Sequence, residues 1–252
     1  MKKTLLIATT LAPLFLISMA NAALSEAPIG SGGGGSLTIS GSFVDTTPLW
    51  AWEIPAETIA ATQDWKIDKR EGVVDGSNTR FDFTSKGTLY ILDGKTQKVV
   101  DGKKSIIPRI AVGGTNIIHG SPFGVQINAV GSNGENGTLW LNVFQGSAIA
   151  FKVPGNATAN LSYLDTPLAI KQRTIAAMKA QTIVLGESIT AEGATTAADI
   201  DSFLAATAPA SPIVTWLAGV TSVAVDNIRL TFPSALIPSS WTASLPITVT
   251  IS

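Results

Sequence analysis

Residues 36–43 read SLTISGSF and residues 244–251 read SLPITVTI, so apolar and small polar residues alternate in both stretches. Alternate residues of a β-strand point to the same face of a sheet. In the first stretch the shared face carries Leu37, Ile39, Gly41 and Phe43. In the second stretch it carries Leu245, Ile247, Val249 and Ile251. A separate strand near the start of the chain and an apolar strand at its end indicate subunits that complete each other's sheets.

The chain begins with the features of a secretory signal. Lys2 and Lys3 form a basic start, residues 5–19 are mostly apolar, and Ala20-Asn21-Ala22 is a cleavage site of the A-x-A type. We therefore predict a bacterial signal peptide over residues 1–22. The apolar run is short and interrupted, and no later stretch approaches the ~18 uninterrupted apolar residues of a membrane helix, so we expect no membrane insertion.

Charge and composition exclude several classes of function. Removing the two signal lysines lowers the basic residues from 17 to 15 against 18 acidic ones, a formal charge of about −3, which argues against nucleic acid as a partner. Charged residues make up 14% of the chain, whereas about 25% is usual for soluble proteins. This low share is typical of all-β extracellular proteins. The chain has no cysteine, so sheet packing must supply the stability that disulfides give elsewhere.

The middle of the chain predicts a β-sandwich interrupted by a partly helical insertion. Predicted strands cover residues 49–54, 80–83, 87–92, 97–100, 105–112, 124–130, 138–144, 148–153, 223–225 and 228–232. Asp93-Gly94 predicts a hairpin turn, with residues 97–100 as the returning strand. Helix starts are predicted at Asp165-Thr166-Pro167 and at residues 196–199, which resemble a capping box.

Three local matches resemble the subunits of chaperone–usher fimbriae, and among them the FaeG-like adhesin family of the kappa class. Residues 35–43 resemble the N-terminal donor strand of that family. Residues 49–54 resemble its Trp-x-Trp first core strand through Trp50 and Trp52, and residues 240–251 resemble its closing strand. The absence of cysteine also fits this class. The mature chain is short for the major adhesive subunit, which favours a minor subunit.

The resemblance implies an all-β fold, an incomplete immunoglobulin-like sandwich (a pilin) with a helical insertion at about residues 165–210. It implies a donor-strand extension with a Gly-rich linker over residues 23–45 and a pilin domain over residues 46–252. The donor residues would be Leu37, Ile39, Gly41 and Phe43. The groove would be bordered by Leu245, Ile247, Val249 and Ile251, with Trp50 and Trp52 in the core.

The resemblance also implies partners and a location. A periplasmic chaperone would cover the groove by lending a strand, and at an outer-membrane usher the N-terminal strand of a neighbouring fimbrial subunit would replace it. The chain would pass through the periplasm to a fimbrium on the cell surface, as a structural subunit polymerised by donor-strand exchange and supporting adhesion. Added strands gain affinity from backbone hydrogen bonds and specificity from alternate side chains.

Other functions receive less support from the residues. We expect no enzyme, cofactor or metal, because His119 is the only histidine, there is no thiol, and no Gly-x-Ser-x-Gly motif occurs. The main alternative is a fimbrial adhesin that binds host-cell glycan. There the resemblance implicates residues 165–212, and Trp216 either stacks on sugar or packs in the core. Two further alternatives are a self-contained domain in which residues 37–43 are an ordinary first strand, and a periplasmic chaperone or carrier.

Overall fold

The computed structural model describes residues 50–63, 65–100, 107–118, 120–205 and 214–251. The chain divides after Val44, and all described residues belong to the unit Asp45–Ser252. The predicted signal peptide, the predicted donor strand and His119 lie outside the described residues.

The described ranges contain thirteen strands and three α-helices. The strands are β1 (Trp50–Glu53), β2 (Val73–Asp75), β3 (Asn78–Asp82), β4 (Leu89–Thr96), β5 (Pro108–Val112), β6 (Thr115–Asn116), β7 (Phe123–Gly131), β8 (Asn136–Lys152), β9 (Ala159–Leu164), β10 (Ile189–Thr195), β11 (Trp216–Pro233), β12 (Trp241–Ala243) and β13 (Ile247–Ile251). The helices are α1 (Ala56–Ala61), α2 (Leu168–Val184) and α3 (Ala197–Ala205). None of the helices in the described ranges has the length and apolar character that crossing a membrane requires.

Two long antiparallel strands, β8 and β11, form the centre of the larger sheet. Their ladder runs from the pair Trp216 and Lys152 to the pair Thr231 and Thr138, with one irregularity after Asp226. The main order of this sheet is β1-β4-β11-β8-β7-β12. The bend after Asp226 lets β11 pair with β4 before it and with β3 beyond it. One strand therefore serves two parts of the sheet.

A smaller sheet of three strands, β13-β5-β6, faces the larger one. β13 pairs antiparallel with β5, from Ile247 opposite Val112 to Ile251 opposite Pro108. The core between the sheets includes Ile110 and Val112 from β5 and, from the larger sheet, Val125, Leu141, Val223 and Leu230. This packing of two antiparallel sheets around one apolar core confirms the all-β, immunoglobulin-like class predicted from the sequence.

The inserted elements cover both faces of the far ends of β8 and β11. Met178 of α2 packs on one face, against small residues that allow close approach: Ala148, Ala150 and Ala218. On the other face, Ile200 and Leu204 of α3 pack against Ile149 and Leu217. Between the two helices, β10 joins the sheet parallel to β9. The predicted helix starts are therefore correct, and β10 is an element that the sequence pattern did not predict.

Two predicted strand breaks are wrong, and the one in β8 has a clear physical reason. Residues 138–144 and 148–152 belong to one strand, β8, which ends one residue before the predicted bound, and residues 223–225 and 228–232 belong to β11. The break in β8 was expected at its polar stretch, yet Gln145 and Ser147 are buried. Gln145 Nε2 donates a hydrogen bond to Thr221 Oγ1 over 2.7 Å, and the Ser147 and Thr221 hydroxyls lie 3.1 Å apart. Cross-strand hydrogen bonds satisfy these polar groups, so the strand continues through them.

The predicted hairpin turn at Asp93-Gly94 is also wrong. Both residues lie inside β4, where Gly94 pairs with Trp52 on one side and Thr221 on the other. A Cβ atom on Gly94 would overlap the Trp52 ring, so the glycine makes room for an indole rather than for a turn. Of the predicted returning strand, Val100 forms an isolated bridge to Leu217.

Candidate strand-binding groove

The inner face of β13 is only partly covered. Its partners on β5 (Pro108, Ile110 and Val112) are buried, whereas Ile247 and Val249 are half-buried and Ile251 is 46% exposed. Among the described residues, β13 pairs with β5 alone, so its other edge carries backbone groups without ladder partners there. A half-covered apolar row beside a free strand edge is the surface that an added strand would complete.

An open cavity of about 610 Å³ lies along β12, the strand that leads into β13. Two segments form its walls: residues 65–69, which we call the first wall, and residues 237–243, which we call the second wall. Its other lining residues include Phe81, Leu230 and Phe232 from β3 and β11. Ala243 and Leu245 pack, half-buried, against the same core and connect the cavity to β13. We call the cavity and the inner face of β13 together the groove.

An aromatic cluster joins the two walls at the β12 end of the groove. Trp65 of the first wall lies 5.1 Å from Phe83 and 6.2 Å from Trp241 of the second wall, measured between ring centroids. The Trp65 indole N–H donates to the carbonyl of Ala61 at the end of α1. Lys69 Nζ donates across the groove to the carbonyl of Ile237 over 3.1 Å. The groove is therefore closed at this end by side-chain contacts between its walls.

A charged turn supports the second wall from behind. Glu135, in the turn between β7 and β8, accepts hydrogen bonds from the backbone N–H and the side-chain amide of Asn133, over 2.8 and 3.0 Å. Hydrogen bonds from its own backbone N–H and then from Asn133 hold the pKa of Glu135 below its usual value. Gly131, at the start of this turn, packs against Pro238, since an added Cβ would lie 2.7 Å from the proline Cβ.

The predicted core tryptophans lie apart from the groove's aromatic cluster. Trp50 is 4% exposed, and its ring stacks on that of Trp52 with centroids 5.2 Å apart and planes 14° apart. Trp52 contacts the sandwich core as well as the cluster that contains Trp50. Trp216 is 8% exposed and packs beside Met178, so its ring is unavailable for stacking on a sugar.

The sequence reasoning missed the first wall. Trp65 and Ile67 are half-buried and pack against the sandwich core, although residues 65–68 have no regular secondary structure. Their alternation with Lys66 was the available signal, but three residues are too few to separate a strand from a loop. The predicted donor residues Leu37, Ile39, Gly41 and Phe43 lie outside the described residues, so their contacts stay a prediction.

A second, shallower cavity of about 430 Å³ lies on the insertion, between the end of α2 and β10. Its lining includes the ion pair between Lys179 Nζ and Glu192 Oε2, 2.6 Å apart, and the hydroxyl residues Ser188 and Thr190. Thr182 also lines it, but this residue is 1% exposed and its hydroxyl donates to the carbonyl of Met178. Ile183 at its rim is 75% exposed. The lining contains no aromatic ring.

Comparison with known families gives one match over the whole chain. The family model described as fimbrial, major and minor subunit, matches residues 1–252. A comparison with curated proteins gives no match.

Proposed function

Because the chain belongs to the family of fimbrial major and minor subunits, we propose that it polymerises by donor-strand exchange as a structural subunit of a surface fimbria. Membership implies an extracellular appendage and association with other fimbrial subunits. In the proposed assembly, residues 36–43 of one subunit enter the groove of the next. The observation that supports this is the half-covered inner face of β13 beside a strand edge that no described residue pairs.

Residues 36–43, which we call the arm, have dimensions that suit the free edge of β13. Leu37, Ile39, Gly41 and Phe43 repeat every second residue, as do Leu245, Ile247, Val249 and Ile251. At about 3.3 Å per residue, each row spans roughly 20 Å. We choose antiparallel pairing of the two rows, because it is the more stable arrangement per residue. This pairing places Phe43 beside Leu245, near the aromatic end of the groove.

The energies indicate why such a contact would persist. Burying each of Leu37, Ile39 and Phe43 contributes about 1.5–3 kcal/mol, while ordering the arm costs about 1–2 kcal/mol per residue. Backbone hydrogen bonds add about 0.5–1.5 kcal/mol each, and with them the local terms come out close to balance. The covering of the acceptor's own core therefore decides the outcome. Slow unfolding of the completed domain then keeps the subunits together.

The finer steps of assembly belong to the same proposal. Residues 1–22 direct export, residues 23–45 form the donor extension, and residues 46–252 form the acceptor domain. A periplasmic chaperone covers the groove with a strand of its own, and an outer-membrane usher exchanges it for the next subunit's arm. The chain acts as a minor subunit of a fimbria that supports adhesion, and no enzymatic step is involved.

A glycan-binding adhesin is the second candidate, and one observation favours it. The cavity between α2 and β10 lies in the insertion, and its lining includes the hydroxyl residues Ser188 and Thr190 and an ion pair that a polar ligand could contact. It ranks second because its lining has no aromatic ring on which a sugar would stack.

The test uses a pair of charge substitutions in the mature chain, residues 23–252. Ile39→Asp places a carboxylate on the apolar face of the arm, and Ser40→Asp, its control, places the same group on the opposite face. Size-exclusion chromatography should show polymers for the wild type and Ser40→Asp, and monomers for Ile39→Asp. A synthetic peptide of residues 36–45 should bind the Ile39→Asp monomer and raise its melting temperature.

Equal polymerisation of Ile39→Asp and the wild type would overturn the proposal. The glycan candidate gains support from a different result. In that case Ile39→Asp leaves assembly unchanged, the wild-type protein binds a host-cell glycan, and the Glu192→Gln variant does not bind it.

A further inference from the structure

Helix α1 is too short to be stable by itself. It has six residues, whereas isolated helices below about 12 residues are marginal in water. Ala61 at its end packs against the sandwich core, and two further side chains attach the helix by polar contacts. Thr58, 4% exposed, donates a hydrogen bond from its hydroxyl to the carbonyl of Tyr90 over 2.7 Å. Glu57 forms an ion pair with Arg173 of α2. The position of α1 therefore depends on β4 and on the insertion.

Arg173 bridges three elements at once. Its Nη2 donates to Glu57 Oε1 over 3.1 Å, and its Nε donates to Asp93 Oδ2 of β4 over 3.0 Å. Its Cζ lies 4.2 Å from the ring centroid of Tyr90. Asp93 is fixed in turn by Ser222 of β11, whose hydroxyl donates over 2.6 Å. A planar guanidinium with several donors suits such a site, and a lysine could not serve all these partners together.

The end of α1 leads directly to the groove. The carbonyl of Ala61, the last residue of α1, accepts the indole N–H of Trp65. Trp65 belongs to the first wall and contacts Phe83 and Trp241. A continuous set of contacts thus runs from Arg173 through Glu57, α1 and Ala61 to Trp65.

We propose that Arg173 is a positioning residue of the groove: by holding Glu57 it fixes α1, and through Ala61 it sets the place of the Trp65 wall. The insertion then controls how firmly the groove retains a strand. The inference rests on the proposed strand-binding function. It also implies that a ligand which displaces α2 changes strand retention.

The test measures strand retention in the mature chain, residues 23–252. A fluorescent peptide of residues 36–45 is loaded, and its release is followed by anisotropy in an excess of unlabelled peptide. Glu57→Gln removes the ion pair to α1 and leaves Arg173 bound to Asp93. Because Glu57 is 61% exposed, this substitution should not prevent folding. Glu192→Gln is the matched control, because it removes an ion pair of the same insertion that joins α2 to β10 rather than to α1.

We expect Glu57→Gln to release the peptide about two- to fivefold faster, the range for an exposed ion pair, and Glu192→Gln to match the wild type. Glu57→Asp, which keeps the charge, should recover part of the loss. Arg173→Lys should act in the same direction and more strongly, because it also disturbs the contacts with Asp93 and Tyr90. Adding Glu57→Gln to Arg173→Lys should change the rate little further, because the guanidinium that Glu57 pairs with is already gone.

Wild-type release rates in Glu57→Gln, or an equal change in Glu192→Gln, would overturn the inference. Failure of the wild-type chain to take up the peptide at all is a different result, since it contradicts the proposed strand-binding function itself. Melting temperatures of the peptide-free variants show whether a changed release rate merely follows a loss of stability.

Discussion

Trp65 and Trp241 come from opposite walls of the groove and contact each other nearly edge to face, with ring centroids 6.2 Å apart and planes at 67°. A strand that lies between two others has a neighbour about 4.8 Å away on each side, so the outer two stand roughly 9–10 Å apart. A strand reaching this end of the groove therefore changes the surroundings of both indoles.

Tryptophan fluorescence should report that change. Adding the peptide of residues 36–45 should shift the emission of the mature chain, and the double substitution Trp65→Phe with Trp241→Phe should remove most of the shift. Trp216→Phe is the control, because Trp216 is buried beside α2 and away from the groove. A shift that survives the double substitution would mean that the peptide binds elsewhere.

The inner face of β13 should be sensitive to a hydroxyl, and its outer face should not. Val249→Thr keeps the side-chain shape but puts a polar atom where the arm would pack, at a cost of about 1–3 kcal/mol. Peptide affinity should fall about 5- to 150-fold, as measured by anisotropy. Thr250→Val, the reverse change at the exposed neighbour, should leave affinity unchanged. Similar affinities for the two variants would contradict the orientation assigned to the groove.

Engineered cysteines should reveal the direction of the arm. The chain has no cysteine of its own, so any disulfide must join the introduced pair. Antiparallel pairing of the two apolar rows brings Thr38 opposite Thr250, whereas parallel pairing brings Ser42 there. Subunits with Thr38→Cys and Thr250→Cys should cross-link into ladders on non-reducing gels, and subunits with Ser42→Cys and Thr250→Cys should not. The reverse result would indicate a parallel arm.

Gly94 should not tolerate a side chain, because Trp52 occupies the space above it. Gly94→Ala forces the indole or the backbone to move, and we expect a loss of about 1–3 kcal/mol in the free energy of unfolding, measured with urea. Gly193→Ala in β10 is the matched control, since a Cβ there meets no atom within 4 Å. Equal stability of the two variants would mean that Trp52 does not pack as described.

Acid should weaken the turn behind the second wall. The folded-state pKa of Glu135 lies below its unfolded value, so its contribution is complete above the usual glutamate pKa of about 4.3 and is lost as the pH falls below it. Glu135→Gln should therefore lower the melting temperature at pH 7 and have a smaller effect at pH 3. A difference that stays constant between these pH values would contradict the role of the carboxylate.

The sequence predicts the strands best where one face packs towards the core and the other faces solvent. In β7 and β13 the alternation is clear, and both were found close to their observed bounds. In β8 it fails beyond Phe144, because the sheet is covered on both sides and residues such as Ala148 and Ile149 are buried alike. Period-2 patterns disappear when both faces lose contact with water, and buried Gln145 then resembles a turn.

The groove could be predicted only on one side. The face of β13 is visible in three alternating residues, Ile247, Val249 and Ile251. The opposite wall is formed by Trp65 and Ile67, in a segment without regular structure. Their position depends on Phe83 and Trp241, which are distant in sequence, and on the backbone carbonyl of Ala61. The turn predicted at Asp93-Gly94 is wrong for a related reason. Asp93 accepts hydrogen bonds from Arg173, and Gly94 leaves room for the ring of Trp52, both of which are distant in sequence.

The continuous ladder of β8 and β11 has a mechanical consequence for a protein of an extracellular appendage. The strands pass from the sandwich into the inserted part without interruption, and their hydrogen bonds lie across the strand axis. Tension that pulls the two strands lengthwise past each other would be shared by many bonds at once instead of opening them one after another. We therefore expect the inserted part to stay attached to the sandwich under tension that would detach a domain joined only by a linker.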